Sequence, residues 1–342
     1  MEEKRTDISK LGEFGLIEHI TQNFPIKNES TIKGIGDDAA VLKYDNKKVL
    51  VTTDLLLEGI HFDLTYFPLK HLGYKTAVVN FSDIYAMNGE PKQLTVSIGV
   101  SRRFSVEDIE DFYAGVRLAC EIYGVDLVGG DTSSSITGLI ISATCIGETV
   151  DEVYRNTAHD NDLICVSGDL GSAFMGLQIL EREKKVFEGD KDFKPEFSGR
   201  EYLLERYLKP EARKDIIAEL KKNNVIPTSM IDISDGLASE LMHICKQSNK
   251  GCRIYEDKIP IDYQTALQAE SCNMSLITAA LNGGEDYELL FTVPLGKHDI
   301  VEKIPGVKVI GHITDLSLGM AMITRDGEEI ALKAQGWNQT KE

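Results

Sequence analysis

Acidic residues recur in this chain wherever an apolar run gives way to glycine or to a polar turn, and that recurrence limits the folds open to it. The cases, in order, are Gly34-Ile35-Gly36-Asp37-Asp38, Thr53-Asp54, Asn80-Phe81-Ser82-Asp83, Gly129-Gly130-Asp131-Thr132, Asp232-Ile233-Ser234-Asp235-Gly236 and Gly283-Gly284-Glu285-Asp286. In open α/β architectures ligands gather at the carboxyl ends of strands, so turns of this kind can converge on one crevice. Each turn taken alone is better explained by conformation, because Asp and Gly are common turn residues. Taken together they call for cations, since clustered carboxylates repel one another. Hard ions such as Mg²⁺ are held by one or two carboxylates plus substrate phosphates. The glycines beside them let backbone N–H groups approach phosphate oxygens closely.

A chain of 342 residues suits about two domains. Its apolar fraction of 42% and charged fraction of 27% are those of a soluble globular protein. No stretch approaches the run of about 18 apolar residues needed to cross a bilayer, and Met1-Glu2-Glu3-Lys4-Arg5 lacks the apolar core of a signal peptide, so the cytoplasm is the expected location. The formal charge of −18 disfavours nucleic acid and anionic membranes as partners, yet leaves room for a phosphorylated small molecule whose metal ions screen the carboxylates. Cys120, Cys145, Cys165, Cys245, Cys252 and Cys272 form no C-x-x-C pair and read as reduced core residues.

Along the chain, residues 12–24 have helical spacing, and Lys48–Thr53 is a strand ending at Asp54. The apolar segment His71–Asn88 predicts a buried helix with Asn80 and Asp83 on one face, where they need partners. Leu94–Val100 reads as a strand, Ser105 caps a helix that runs to Gly124, Val125–Val128 is a short strand ending before Gly129, and Leu139–Gly147 is another strand. These make an N-terminal unit, 1–150, followed by a polar connection and a second unit, 151–342. The second unit holds the strand Leu163–Ser167, the helix from Ser172 to about Lys185 and a charged loop at 186–200. After two helices, a strand ends at the Asp232–Leu237 motif and hands over to the helix Ala238–Ser248. Later come a strand near Arg253–Tyr255, helices near Tyr263–Glu270 and Ser275–Leu281, the strand Tyr287–Val293, and a hairpin turned at Asp326-Gly327.

Other chemistries fit less well. The chain lacks a G-x-x-x-x-G-K-[ST] loop, a kinase H-R-D and D-F-G pair and a G-x-S-x-G elbow, and Asp232–Gly236 lacks the aspartate spacing of an EF-hand. His61, in Glu58-Gly59-Ile60-His61-Phe62, follows Asp54 closely and is either a phosphate contact or a hydrogen-bonded structural residue.

The ordered set Gly34-Ile35-Gly36-Asp37-Asp38-Ala39-Ala40, Thr53-Asp54 with Glu58-Gly59-Ile60-His61-Phe62, Asn80-Phe81-Ser82-Asp83, Gly129-Gly130-Asp131-Thr132, Asp232-Ile233-Ser234-Asp235-Gly236-Leu237 and Gly283-Gly284-Glu285-Asp286-Tyr287-Glu288-Leu289 resembles the thiamine-monophosphate kinases, which belong to the aminoimidazole ribonucleotide synthetase-like superfamily. The resemblance spans nearly the whole chain. It implies a two-domain α/β (α+β) fold. The N-terminal domain would bind ATP and Mg²⁺ and form a homodimer through its sheet, the C-terminal α/β domain would complete the active site, and ATP would lie between them. It implies transfer of the γ-phosphoryl of ATP to thiamine monophosphate by direct in-line attack, giving thiamine diphosphate.

Carried over by motif, Asp38, Thr52, Thr53, Asp54, Asp83, Asp131, Asp232 and Asp235 would hold several Mg²⁺ ions, with Asp83 and Asp235 central to catalysis. Tyr113, Gly130, Asp131, Arg155 and Ser234 would contact ATP, and His61, Glu285 and Trp337 would meet thiamine monophosphate. A tryptophan stacked on a cationic ring is physically sensible, although Trp337 could equally anchor the C-terminal segment by packing. Asp38 is the metal candidate, and Asp37 shapes the turn. Two features depart from the family pattern: Thr52 stands where serine is frequent, and the loop 186–200 is extended.

Rivals within the superfamily want residues this chain does not show. Selenophosphate synthetase would require a cysteine near the N-terminus and the hydrogenase maturation enzyme one at the C-terminus, whereas the first cysteine here is Cys120 and the chain closes on Asn338-Gln339-Thr340-Lys341-Glu342. Aminoimidazole ribonucleotide synthetase itself is disfavoured by the E-G-x-H-F and G-G-E-D-Y-E-L segments. The rival of another class is a noncatalytic Mg-nucleotide-binding module.

Overall fold

The computed structural model describes residues 19–33, 41–189 and 194–334. Asp37, Asp38 and Trp337 therefore lie outside the described residues, as does most of the expected first helix, of which residues 19–21 are helical. The chain forms two compact units, one within Met1–Ile84 and Gly89–Val150, the other within Tyr85–Asn88 and Asp151–Glu342.

In the first unit, β1 (Thr31–Lys33) and β2 (Val41–Leu42) form a small antiparallel pair. The main sheet has the order β3-β6-β4-β5, from β3 (Lys48–Leu57), β4 (Glu90–Val100), β5 (Asp126–Ser134) and β6 (Ile140–Thr149). Only β4 and β5 run parallel in it. Side chains on β3 alternate as a half-buried strand must: Leu50 and Leu56 are buried, while Val49, Val51 and Leu55 are exposed.

Two helices, Leu69–Ala86 and Val106–Tyr123, belong to this unit's core. The second opens with the expected capping box, in which the Ser105 hydroxyl accepts from the Asp108 N–H and the Asp108 carboxylate accepts from the Ser105 N–H, and it closes on left-handed Gly124. The helices cross in backbone contact. A Cβ on Gly73 would fall 1.9 Å from the Phe112 carbonyl oxygen, and one on Gly115 1.8 Å from that of Lys70.

Two expected strand ends are corrected. β3 does not stop at Asp54, because its antiparallel pairing with β6 continues to Leu57 opposite Ile140. β5 runs through Gly129 and Gly130 to Ser134, so Asp131 sits inside a strand, opposite Ser97. Glycine usually marks a break, but here it permits close approach: a Cβ on Gly130 would lie 2.0 Å from the Val96 carbonyl oxygen.

The second unit is built on a seven-stranded sheet of order β13-β12-β9-β11-β7-β10-β8. Its strands are β7 (Leu163–Ser167), β8 (Ser229–Asp232), β9 (Lys250–Tyr255), β10 (Leu289–Val293), β11 (Val307–Asp315), β12 (Met320–Ile323) and β13 (Glu329–Ala331). All neighbours are antiparallel except β12 and β9. Ile164, Val166, Leu290 and Ile313 form its core together with Leu237, Leu241 and Ile244 of the helix Leu237–Ser248. A second apolar cluster joins the helices Ser172–Gly189, Glu201–Leu208, Tyr263–Ser271 and Leu276–Asn282 through Met175, Ile179, Leu203, Ala269 and Ala279. The terminal hairpin forms as expected, with Gly327 left-handed at its turn. Five cysteines are buried, and Cys272 is exposed, contrary to the expectation of a uniform core role.

Gly115→Ala is expected to lower stability by about 1–3 kcal/mol or more, because the new methyl group forces the two helices apart. Urea unfolding followed by circular dichroism measures this. A midpoint equal to the wild type would contradict the crossing.

Candidate functional site

Within the first unit, strand alternation sorts the expected ligands. Thr52 and Asp54 are two residues apart on β3 and share the buried face with Leu50 and Leu56. The Thr52 hydroxyl donates to an Asp83 carboxylate oxygen at 2.5 Å, so this strand face and the helix Leu69–Ala86 bring Thr52 and Asp83 together, with Asp54 two residues further along the same face. Asn80, one turn earlier on that helix, donates from Nδ2 to the Thr76 carbonyl, and its Oδ1 is buried without a hydrogen-bond partner.

Thr53 and Asp131 belong to the opposite, open face. Thr53 stands across from Thr144, donates to the Ala143 carbonyl at 2.9 Å and accepts from the Thr144 hydroxyl. Asp131 is aligned with Ser97 and is exposed.

His61 sits in a tight turn after β3. Gly59 is left-handed and donates to the Phe62 carbonyl at 2.8 Å, and the Leu57 N–H donates to His61 Nδ1 at 3.0 Å. With Nδ1 accepting, the proton of the neutral ring lies on Nε2, which is thereby a donor. Glu58 fixes the turn from below, accepting from the Leu139 N–H and pairing with Arg103.

In the second unit, two motifs far apart in sequence are bonded backbone to backbone. Leu289 on β10 is paired with Asp232 at the end of β8. Past that pair, Ile233 N–H donates to the Glu288 carbonyl, Tyr287 N–H to the Ile233 carbonyl and Glu285 N–H to the Ser234 carbonyl, at 2.7, 2.9 and 2.7 Å. The ladder brings Asp232, Ser234, Asp235 and Glu285 together. Gly284 makes the approach possible, for a Cβ there would fall 2.4 Å from the Ser234 carbonyl oxygen. Glu240, 2% exposed, accepts from the Asp235 N–H at 3.0 Å. Burial, with the nearby Asp235 and Asp232, pushes its carboxyl up to about 8.

Other expected residues stand elsewhere. Arg155 is tied by its carbonyl to the Ser229 and Ser248 hydroxyls, at the far end of β8 from Asp232. The Tyr113 ring is buried edge-on to Phe112 and Phe24, and burial raises its hydroxyl pKa.

The acidic pair Glu285-Asp286 splits into two roles. Asp286 is fully buried and accepts from the Gly171 N–H at 2.9 Å. Glu288, two residues on, accepts from the Ser167 hydroxyl at 2.5 Å and from Arg213 at 2.6 Å, and Arg206 lies 3.0 Å from its other oxygen. Sequence reading missed Arg206, Arg213 and Asp169. The signal available was the alternation of acids in Glu285-Asp286-Tyr287-Glu288, which demands buried cationic partners once the strand is placed.

The donor chemistry suits Mg²⁺, since every candidate offers oxygen and none nitrogen or sulfur. Among the described residues no three His, Cys, Asp or Glu side chains are gathered closely enough to hold a metal by themselves. Sites of one or two carboxylates completed by substrate phosphates are what such a set can build.

The family model described as AIR synthase related protein, N-terminal domain, matches residues 36–149. The match covers most of the first unit, which has the fold of the N-terminal domain of AIR synthase related proteins. The thiamine-monophosphate kinase of Aquifex aeolicus (strain VF5) is 38% identical over 287 residues, covering 84% of this chain and 87% of that protein. The thiamine-monophosphate kinase of Bacillus subtilis (strain 168) is 32% identical over 344 residues, covering 97% of this chain and all of that protein. The solved structure of AaThiL complexed with AMPPCP and TMP superposes with a TM-score of 0.75 at 34% identity, covering 98% of this chain and 99% of that one. The chain belongs to the thiamine-monophosphate kinase family.

Asp286 makes a pH prediction. Burial pushes its carboxyl up to about 7, against the pull of Arg206 and the Gly171 N–H. A carboxyl with a higher pKa folded than unfolded contributes stability fully below its unfolded value of 3.8, and that contribution is lost as pH rises through about 7. Across that window wild-type stability is expected to fall relative to Asp286→Asn, by at most about 1.4 kcal/mol per pH unit. Urea titrations at several pH values measure it, and parallel profiles for the two proteins would contradict it.

Proposed function

We propose that this protein transfers the γ-phosphoryl of ATP to thiamine monophosphate, giving thiamine diphosphate and ADP. The observation that carries this reading is full-length similarity to thiamine-monophosphate kinases, including AaThiL complexed with AMPPCP, an ATP analogue, and TMP.

The acceptor is a phosphate oxygen that is ionised at neutral pH, so no strong general base is needed, and the work is positioning and charge neutralisation. The acidic residues accordingly hold cations and do not carry protons. Thr52, Asp54 and Asp83 form one group of oxygen donors and Asp232 with Asp235 another, while Asp38, Thr53 and Asp131 complete the proposed ligand set. Bound Mg²⁺ would neutralise the polyphosphate. Ser234, Gly130, Arg155 and Tyr113 are proposed for ATP. His61, through its Nε2–H, Glu285 and Trp337 are proposed for thiamine monophosphate.

A homodimer through the four-stranded sheet is supported by that sheet's open apolar face, where Val49, Val51 and Leu55 are 45%, 66% and 54% exposed. Free buried thiols suit a reducing compartment such as the cytoplasm.

ADP release is expected only when thiamine monophosphate is added, and only with Mg²⁺. Nucleotide binding without turnover would instead favour a noncatalytic module. Asp83→Asn and Asp235→Asn are expected to lower kcat by about 100-fold or more with the circular dichroism spectrum unchanged, the scale seen when one group of a charge-stabilising site is removed. Near-normal rates in both would remove them from the site. Light scattering is expected to give a dimer for the wild type and a monomer for Val51→Asp; a dimer in both would move the interface off this face.

A further inference from the structure

Glu285 lies in a run of backbone that proteins rarely adopt. Gly284, Glu285 and Tyr287 all have positive φ, of 71°, 62° and 51°. Two side-chain-bearing residues in the left-handed region within three positions persist only where the surroundings hold them. On one side the backbone bonds to Ile233 and Ser234 do so. On the other, the side chains that flank Tyr287, Asp286 and Glu288, are buried and gripped.

Arg213 holds Glu288 alone, whereas one guanidinium, that of Arg206, reaches both carboxylates. Arg206 Nη2 lies 3.0 Å from Glu288 and 3.9 Å from Asp286, and donates to the Asp169 carbonyl at 3.1 Å. Asp169 in turn accepts from the hydroxyls of Ser172 and Tyr202. Arg206 is carried by the short helix Glu201–Leu208, which contains no residue of the expected ligand set.

We propose that Arg206 is a positioning residue for thiamine monophosphate: by holding Asp286 and Glu288 inward it keeps Glu285 in the left-handed conformation that presents it beside Asp235. The inference rests on Glu285 meeting that substrate. Loss of the guanidinium leaves two buried carboxylates short of a partner, and the turn relaxes toward ordinary backbone angles with Glu285 displaced. Of the residues proposed for ATP only Ser234 adjoins this turn, so ATP binding changes less than that of thiamine monophosphate. A lysine restores the charge without the fork, so it rescues partly.

The test measures kcat and the KM of each substrate for the wild type, Glu285→Gln, Arg206→Met and Arg206→Lys. The expected result is a KM for thiamine monophosphate raised about tenfold or more in both Glu285→Gln and Arg206→Met, the scale for supporting residues. The KM for ATP is expected to stay within about twofold, a split that general destabilisation does not produce, and Arg206→Lys to fall between Arg206→Met and wild type. Should Arg206→Met fail to fold, Ser167→Ala removes one donor to Glu288 without unpairing a charge and is expected to shift the same KM in the same direction. If Glu285→Gln raises that KM while the Arg206 variants, or Ser167→Ala in their place, leave it unchanged, the positioning role is overturned and the substrate assignment stands. If Glu285→Gln leaves it unchanged, the assignment of Glu285 fails and the proposal falls with it.

Discussion

Burying Glu288 is the constraint around which the second unit is arranged. A carboxylate 1% exposed is tolerable only with full compensation, and it receives two arginines and a serine hydroxyl from three separate segments. Those bonds fix the end of β7, the helix Glu201–Leu208 and the segment around Arg213 relative to β10. Replacing such a cluster with well-packed apolar residues is often neutral for stability, so what the charges supply is one particular backbone arrangement. Here that arrangement is the turn from Gly284 to Glu288, bonded along its length to the Ile233–Ser234 segment.

The first unit reaches the same end by a different means. Its sheet is patterned by alternation, and the alternation separates adjacent threonines: Thr52 is bonded to Asp83, and Thr53 to Thr144 on the open face. Backbone contact at Gly73 and Gly115 brings the two helices close, and Asp83 is carried on the one that faces β3. Both units thus present oxygen donors from strand ends and helix faces, as an acidic chain that handles polyphosphate requires. The formal charge of −18 agrees with a substrate that arrives with its own cations.

Much of this was legible in the sequence, because local pattern decides it. β7 was read at its observed bounds, the helix Val106–Tyr123 from its cap and the terminal hairpin from Asp326-Gly327. The acidic motifs carried the family resemblance, and the comparisons bear it out. What was not legible depends on long-range partners. β11 is central to its sheet, yet its glycine, histidine and lysine and its irregular register near Gly311 hide the strand period. The end of β5 was misjudged because Gly129-Gly130 reads as a break until β4 is placed beside it. Arg206 and Arg213 lie in helical, charged sequence with nothing local to mark them as partners of Glu288. Asp286 reads in the sequence only as the second acid of the turn beside Glu285, whereas burial makes it part of the framework.

The central claim is direct transfer between two phosphates, with acidic residues holding cations and no protein group phosphorylated. Incubating the enzyme with Mg²⁺, thiamine monophosphate and ATP whose γ-phosphorus is chirally labelled with oxygen isotopes tests it in one measurement. A single in-line displacement predicts labelled thiamine diphosphate with inverted configuration at phosphorus. Retention, or label that never reaches thiamine diphosphate, would contradict it.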